Sequence, residues 1–394
     1  MRTVAVVGSS LAGYSAAVAL RANGFEGRLE MIGAERRLPY DRPPLSKEFL
    51  TGTPSLQRLA LGDAEDIDAL QAHWWLGRVA TKLDTTRGGV WLADGTLIKA
   101  DGVVIATGAS PRMLPGARVA AGVHLLRTVD DAEALRANLR IGSPRVAVVG
   151  GGFIGAEVAS AAKGIGLDVT VIEAAEVPLA AVLGERLGRL CTNLHSDNGV
   201  RVLTGTGVTG LSTRDGRVSG VELADGRHVP AEVVVIGIGV RPNTDWLAGS
   251  KIPVRDGVLC DVGCVTKNPS VVAVGDVARV RQPGQEHGVR SEHWNTASWQ
   301  PCAAVRNLLA GRTVADATSV PYFWSDQYGV RIQFAGEAHP EDEVVIVEGS
   351  EQDRCLVANY VRAGHVVGVL SLNQPRAFAR AKRGLATPEL ASAG

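Results

Sequence analysis

Two sets of glycines in this chain have the spacing of a phosphate-binding turn. Gly150, Gly152 and Gly155 stand in Val146-Ala147-Val148-Val149-Gly150-Gly151-Gly152-Phe153-Ile154-Gly155. Gly8 and Gly13 stand in Val4-Ala5-Val6-Val7-Gly8-Ser9-Ser10-Leu11-Ala12-Gly13, with Ser10 at the middle position. In such a turn the first glycine bends the chain, the second admits a pyrophosphate to the backbone, and the third lets helix and strand pack closely. The free N–H groups and dipole at the helix start favour the phosphates. Glu173 follows the second turn at the end of Val169-Thr170-Val171-Ile172. Its spacing from the glycines, about 20 residues, is that of a carboxylate on an adenine ribose. After the first turn, the run Arg28-Leu29-Glu30-Met31-Ile32 leads into Gly33-Ala34-Glu35, so its acid comes later. Two such turns imply two dinucleotides, and a chain that holds both is suited to moving a hydride between them.

These turns need buried parallel strands before them and helices after them, so the fold class is α/β with two Rossmann-like dinucleotide-binding parts. The apolar run Val103-Val104-Ile105-Ala106-Thr107-Gly108 reads as another buried parallel strand. Val233-Val234-Val235-Ile236-Gly237-Ile238-Gly239 closes the second part in the same way. Asp94-Gly95 and Asp225-Gly226, the latter within 218–229, mark hairpins in matching places, so the chain reads as an internal duplication. Residues 130–139 read as a helix, and Pro111 and Pro115 mark the crossing between the parts. The chain then returns to the first part through Val271-Val272-Ala273-Val274-Gly275-Asp276 and a helix over 297–309, with Pro301 inside it predicting a kink. Short strands then lead to a basic helix over 377–385. The boundaries implied are 1–110 with 236–314 for the first part, 111–235 for the second, and 315–394 for a mixed C-terminal domain.

The chain has 394 residues, with Lys+Arg and Asp+Glu equal at 41 each. Nucleic-acid binding, which needs a basic surplus to neutralise phosphates, is not the expected activity. Residues 3–20 are uncharged, but their strand-then-glycine pattern explains them better than a leader or membrane span. No membrane segment is read, and a cytoplasmic location is expected. Cys191, Cys260, Cys264, Cys302 and Cys355 are odd in number and do not suggest a disulfide framework. Cys260 and Cys264 are spaced like half a metal site, but no second ligand pair lies near in sequence, so no metal is expected. No close cysteine pair lies near the first helix, which removes dithiol–disulfide chemistry there.

Taken together, several further motifs resemble the FAD-dependent ferredoxin reductases of bacterial oxygenase systems. These are Pro43-Pro44-Leu45-Ser46-Lys47, Ala106-Thr107-Gly108, Leu126-Arg127-Thr128, Gly152-Phe153-Ile154-Gly155-Ala156-Glu157, Gly237-Ile238-Gly239, Ala273-Val274-Gly275-Asp276, Glu292-His293-Trp294 and Trp324-Ser325-Asp326-Gln327-Tyr328. The resemblance covers nearly the whole chain and implies a glutathione-reductase-like fold with a C-terminal α+β domain. It implies FAD and NADH as cofactors, and a [2Fe–2S] ferredoxin as partner in the service of a cytochrome P450 or a dioxygenase.

By position, the resemblance implies that Gly8, Ser10, Ala12 and Gly13 face the FAD pyrophosphate, with Leu11 beside them. Arg127 reaches the same group, Ala80 meets the adenine through its backbone, and Asp276 bonds the ribityl chain. Trp294 packs on the isoalloxazine, and Lys47 lies near flavin N5. Glu157 pairs with Lys47 near the nicotinamide, and Glu173 binds the NAD ribose. Arg42, Ala106, Thr107, Gly108, Gly275, Glu292, His293 and Trp324 complete the FAD set. Gly150, Gly152, Phe153, Ile154, Gly155, Gly237, Ile238 and Gly239 complete the NAD set. From spacing alone, Glu157 is equally a first-turn helix acid.

The chain departs from the family pattern in places. Ala34 holds the usual acidic FAD-ribose position, leaving Glu35 as substitute. Asn295-Thr296 reverses the common order after Trp294, and Ser298-Trp299-Gln300-Pro301 is unusual in that helix. Ala174 and Ala175, not an arginine, follow Glu173, so NADH is expected over NADPH. Arg376, Arg380, Lys382 and Arg383 are candidate contacts for an acidic ferredoxin, as are Arg36, Arg37, Arg42 and Arg290. A monomer or homodimer is expected. The same motifs also fit an NADH oxidoreductase with rubredoxin, quinone or oxygen as acceptor. They fit equally an NADH-sensing protein similar to apoptosis-inducing factor.

Overall fold

The computed structural model describes residues 1–52, 55–114, 120–282 and 285–385, so Pro115 lies outside the described residues. The chain forms two compact units. The first comprises Met1–Asp41, Leu56–Ser110 and Arg241–Pro321. The second comprises Arg42–Ser55, Pro111–Val240 and Tyr322–Gly394.

In the first unit a five-stranded parallel sheet runs in the order Val271–Ala273, Gly102–Ile105, Thr3–Val7, Arg28–Gly33, Ala72–Leu76. Its central strands are buried on both faces, which is why they read as unbroken apolar runs rather than alternating ones. Helix Leu11–Ala22 buries Ala12, Gly13, Ala16 and Ala17, small residues that let it lie close to its neighbours. A small antiparallel sheet of Ala80–Asp84, Gly89–Leu92 and Leu97–Lys99 turns at Asp94-Gly95, where Gly95 has φ +85.

Two features add to the sequence reading. A hairpin of Ala278–Gln282 and Gln285–Arg290 intervenes between Asp276 and the following helix. That helix starts early, at Trp294, and continues as one segment through Pro301 to Ala310. It ends on Gly311 in the left-handed region, which favours glycine.

In the second unit the parallel sheet runs Arg201–Leu203, Val169–Ile172, Val146–Val149, Val233–Ile236, Val123–His124. A three-stranded antiparallel sheet, Val208–Arg214, Arg217–Leu223 and His228–Pro230, accompanies it. The third component is an antiparallel sheet in the order Tyr322–Gln327, Val330–Gly336, His365–Leu372, Cys355–Arg362, Glu343–Ser350. Leu183, Leu187 and Leu194 of helix Ala180–Asp197 share one core with Phe323, Phe334 and Leu370 of this sheet. The C-terminal sheet thus has no separate core of its own on that face. Helix Pro375–Arg383 buries Ala377 and Phe378 and carries the basic cluster.

The duplication is written in the hydrogen bonds. Gly8 N–H donates to Ile32 O at 2.8 Å, and Gly150 N–H to Ile172 O at 2.8 Å. Ala106 N–H donates to Val7 O at 2.8 Å, and Gly237 N–H to Val149 O at 2.7 Å. Gly77 N–H donates to Glu35 O at 2.8 Å, and Gly205 N–H to Ala175 O at 3.2 Å.

Two dinucleotide cradles and a buried ion pair

Each glycine turn is shaped by contact of backbone on backbone. Gly8 has φ +111, and a Cβ there would stand 2.0 Å from Ala106 O. A Cβ on Gly13 would stand 1.8 Å from Gly8 O. In the second unit Gly150 has φ +106, with Gly237 O at 2.2 Å from its ideal Cβ, and Gly155 would meet Gly150 O at 2.1 Å. Any side chain at these positions forces strand and helix apart. Gly152 differs, because nothing lies within 4 Å of its ideal Cβ. That open approach is what a pyrophosphate requires. Helices Leu11–Ala22 and Phe153–Gly164 also carry no acid in their first turns. Their positive ends are therefore left for an anion. The residues fit two dinucleotides, one in each unit.

The ends of the neighbouring strands differ between the units. Glu173 accepts from Gly151 N–H at 2.6 Å and from Ala175 N–H at 2.9 Å. One oxygen is thus held on the glycine turn and the other on the backbone just after the strand. Ladder register sets Gly33 at the equivalent position, since Val7 pairs with Ile32 and Val149 with Ile172. Ala34 is exposed, and Glu35 accepts from the Tyr40 hydroxyl.

Around the first cradle, Gly275 N–H donates to Gln300 Oε1 at 2.9 Å. The ideal Cβ of Gly275 would stand 2.9 Å from Ala12 Cβ. Thr107 and Asn243 clamp each other, Thr107 Oγ1 donating to Asn243 O and Asn243 Nδ2 to Thr107 O, each at 2.8 Å. Gly108 is in the left-handed region at φ +62. Trp294 Nε1 donates to Asp41 Oδ1 at 2.7 Å and leaves its ring part-exposed. Arg290 bonds Glu292 at 2.6 Å and the Asp276 carbonyl at 3.2 Å. Burial lowers the His293 pKa against the pull of Asp276, which keeps its ring neutral at pH 7. Ala80 opens a strand of the small sheet.

Lys47, Arg42, Arg127 and Trp324 group with the second unit. Arg42 donates to the Arg127 carbonyl. Arg127 N–H donates to Asp131 Oδ2 at 3.1 Å, next to the capping box that Thr128 and Asp131 form. Glu157 is buried in helix Phe153–Gly164, at 3 % exposure, with Lys47 Nζ 2.8 Å from Oε2. Ser46 donates to Oε2, and Ser325 donates to Oε1 at 2.6 Å. Lys47 also donates to Pro43 O at 3.0 Å. A buried carboxylate persists only when paired and hydrogen-bonded, and this one is both. Phe153 packs on Phe323 with ring centroids 4.6 Å apart, while Ile154 is exposed beside the turn. Gly237, Ile238 and Gly239 follow Val233–Ile236 as Ala106, Thr107 and Gly108 follow Gly102–Ile105.

Sequence reading assigned no role to Ser46, Asp41, Asn243, Gln300, Ser325 or Gln327. Ser46 and Ser325 lay within quoted motifs, and that was the only signal available for them. All five cysteines are free: Cys191, Cys260 and Cys264 are buried, Cys302 is exposed and Cys355 intermediate. Burial pushes the Cys191 and Cys260 thiols up to about 12, where they are inert. Among the described residues no helix is long and apolar enough to cross a membrane.

Residues 2–300 match the family described as pyridine nucleotide-disulphide oxidoreductase, and residues 322–393 match the reductase C-terminal family. The chain belongs to the pyridine nucleotide-disulphide oxidoreductases. Within that family it is 38% identical to rhodocoxin reductase of Rhodococcus erythropolis, over 98% of this chain and 90% of the relative. It is 34% identical to putidaredoxin reductase of Pseudomonas putida, over 96% and 90%. Among solved structures it matches a chain of the covalent putidaredoxin reductase–putidaredoxin complex. The TM-score there is 0.92 at 32% identity, covering 98% of this chain and 93% of that one. The fold is the glutathione-reductase-like FAD/NAD-binding fold with a C-terminal domain, as the sequence motifs implied.

Proposed function

We propose that the chain is an NADH-dependent flavoprotein that reduces a [2Fe–2S] ferredoxin serving a cytochrome P450 or a dioxygenase. The observation that carries this reading is the pair of glycine cradles, Gly8–Gly13 and Gly150–Gly155, in a chain that matches the rhodocoxin and putidaredoxin reductases over 98% and 96% of its length. When bound, NADH supplies a hydride and FAD accepts it and releases electrons singly.

The chain's own work is to bind and orient. Gly8, Ser10, Ala12 and Gly13 bring backbone to the FAD pyrophosphate. Gly150, Gly152 and Gly155 do the same for NADH. Glu173 accepts from a free ribose 2′-hydroxyl and repels a 2′-phosphate, which selects NADH. Lys47 and Glu157 are the polar pair for the reacting rings. Asp276, Trp294 and Trp324 are assigned to FAD by position, and the rest of the residues named from the resemblance to the two cofactors. The domain division at 1–110 with 236–314, 111–235 and 315–394, a cytoplasmic location, and a monomeric or homodimeric state belong to the same reading.

The test is anaerobic stopped-flow absorbance on the FAD-loaded protein. NADH is expected to bleach the flavin, and added [2Fe–2S] ferredoxin to restore its colour rapidly. Bleaching that persists with ferredoxin present would reject ferredoxin as the acceptor. A protein that takes up no FAD would reject the flavoprotein reading.

A further inference from the structure

The two oxygens of Glu157 have different neighbours. Oε2 takes Lys47 and Ser46, both from Arg42–Ser55. Oε1 takes the Ser325 hydroxyl, 168 positions away in sequence. Ser325 in turn accepts from Gln327 Nε2 at 3.0 Å. A serine hydroxyl has a single hydrogen. With Gln327 donating into its oxygen, that hydrogen is turned toward Glu157, so the chain Gln327–Ser325–Glu157 has one direction. Ser325 and Gln327 are 0% and 1% exposed, so water does not substitute for either.

The strand that carries them is fixed at further points. Strand alternation turns Phe323, Ser325 and Gln327 inward together. Phe323 packs on Phe153 at the start of the Glu157 helix. Just beyond the strand, Tyr328 N–H donates to Ser160 Oγ at 2.7 Å, one turn along the same helix from Glu157. The Tyr328 hydroxyl lies 2.7 Å from His195 Nδ1. The C-terminal segment is thus bolted to the nucleotide-binding helix on either side of Ser325.

We propose that Ser325, oriented by Gln327, is a positioning residue that holds Glu157 so that its other oxygen stays on Lys47. It acts through Glu157. This inference rests on the reading that the Lys47–Glu157 pair serves flavin reduction by NADH.

The test is NADH titration in anaerobic stopped flow with the FAD-loaded protein, Ser325→Ala, Glu157→Gln and the double variant. Ser325→Ala is expected to lower the limiting rate of flavin reduction by about tenfold, the scale of a hydrogen bond to a charged group. The NADH dissociation constant is expected to stay within about twofold of the parent. In the Glu157→Gln background Ser325→Ala is expected to add nothing, because the group it acts through is gone. A second readout needs no turnover. Acetic anhydride labelling read by mass spectrometry is expected to modify Lys47 faster in Ser325→Ala than in the parent.

An unchanged limiting rate, or the same slowing in the Glu157→Gln background, would overturn the inference. If Ser325→Ala fails to fold, Ser325→Cys and Gln327→Met decide it. A slower limiting rate with either is expected, and parental rates with both overturn the role. A parent that NADH does not bleach overturns the reductase reading and this inference with it. A bleached parent with unaltered Ser325 variants rejects the inference alone.

Discussion

The two glycine turns share a backbone and differ in side chains. Gly8 and Gly150, and likewise Gly13 and Gly155, face carbonyl oxygens at distances that no Cβ tolerates. Between them the turns diverge: Ser9, Ser10, Leu11 and Ala12 stand against Gly151, Gly152, Phe153 and Ile154. The strand ends diverge with them. In the second unit Gly151 faces Glu173, and the ideal Cβ of Gly151 stands 3.4 Å from Glu173 Cβ. In the first unit Ser9 faces Gly33, whose ideal Cβ would stand 2.0 Å from Ser9 Oγ. The bulk has moved from the strand end to the turn, and the carboxylate has gone with it. Positions held by backbone contact are therefore fixed in both units. Positions held by side chains change in matched pairs.

This comparison fails first if its rigid positions prove soft. Gly8→Val and Gly150→Val each add a branched side chain at positive φ and against a carbonyl. Each is expected to lose more than about 4 kcal/mol of stability, read as lost soluble yield and thermal transition. A well-folded product from either would break the equivalence of the cradles. Glu173→Ala removes the carboxylate that only the second cradle has. The ratio of kcat/KM for NADH over NADPH is expected to fall by about tenfold, within the worth of hydrogen bonds to a charged group. An unchanged ratio would reject Glu173 as the discriminating group.

Acid should act on the second unit through His195. Burial lowers its pKa to about 4, against about 6.5 in an unfolded chain. The unfolded state therefore binds more protons between these values. Stability rises with pH across that window and is lost as pH falls through it. The loss is expected to be about 1–3 kcal/mol, seen as a Tm drop between pH 7 and 4.5 that His195→Gln flattens. In the first unit burial shifts His293 in the same direction. The matched-pair idea carries the smallest effect: Gly33→Ala is expected to cost about 1–2 kcal/mol by crowding Ser9, and Ser9→Gly to restore most of it. Additive losses in thermal melts would reject the pairing.

Legibility in the sequence followed the same division. Gly8, Gly13, Gly150 and Gly155 stand out because backbone geometry allows no other residue there, and buried parallel strands announce themselves as apolar runs. The hairpin after Asp276 did not, because Ala278-Arg279-Val280-Arg281-Gln282 has too few apolar residues to separate a strand from a polar loop. Pro301 implied a kink and not a stop, and the helix runs through it with Ala297, Ala304 and Leu308 buried on either side. The Lys47–Glu157 pair came from resemblance, since spacing left Glu157 open. Ser325 and Gln327 stand within a motif that carries the resemblance, but their link to Glu157 is not legible, because polar residues in a strand say nothing of a carboxylate in a distant helix.

The strand Tyr322–Gln327 alternates strictly, with Tyr322, Trp324 and Asp326 on one side and Phe323, Ser325 and Gln327 on the other. Its two faces are therefore separately heritable. A substitution at Asp326 alters the half-buried face and leaves the polar support of Glu157 in place, whereas Trp324 on that face is assigned to FAD and Tyr322 packs on Phe378. A single inserted or deleted residue exchanges the faces and loses both at once. A one-residue length change within these six residues is therefore expected to cost more than any single substitution on the half-buried face.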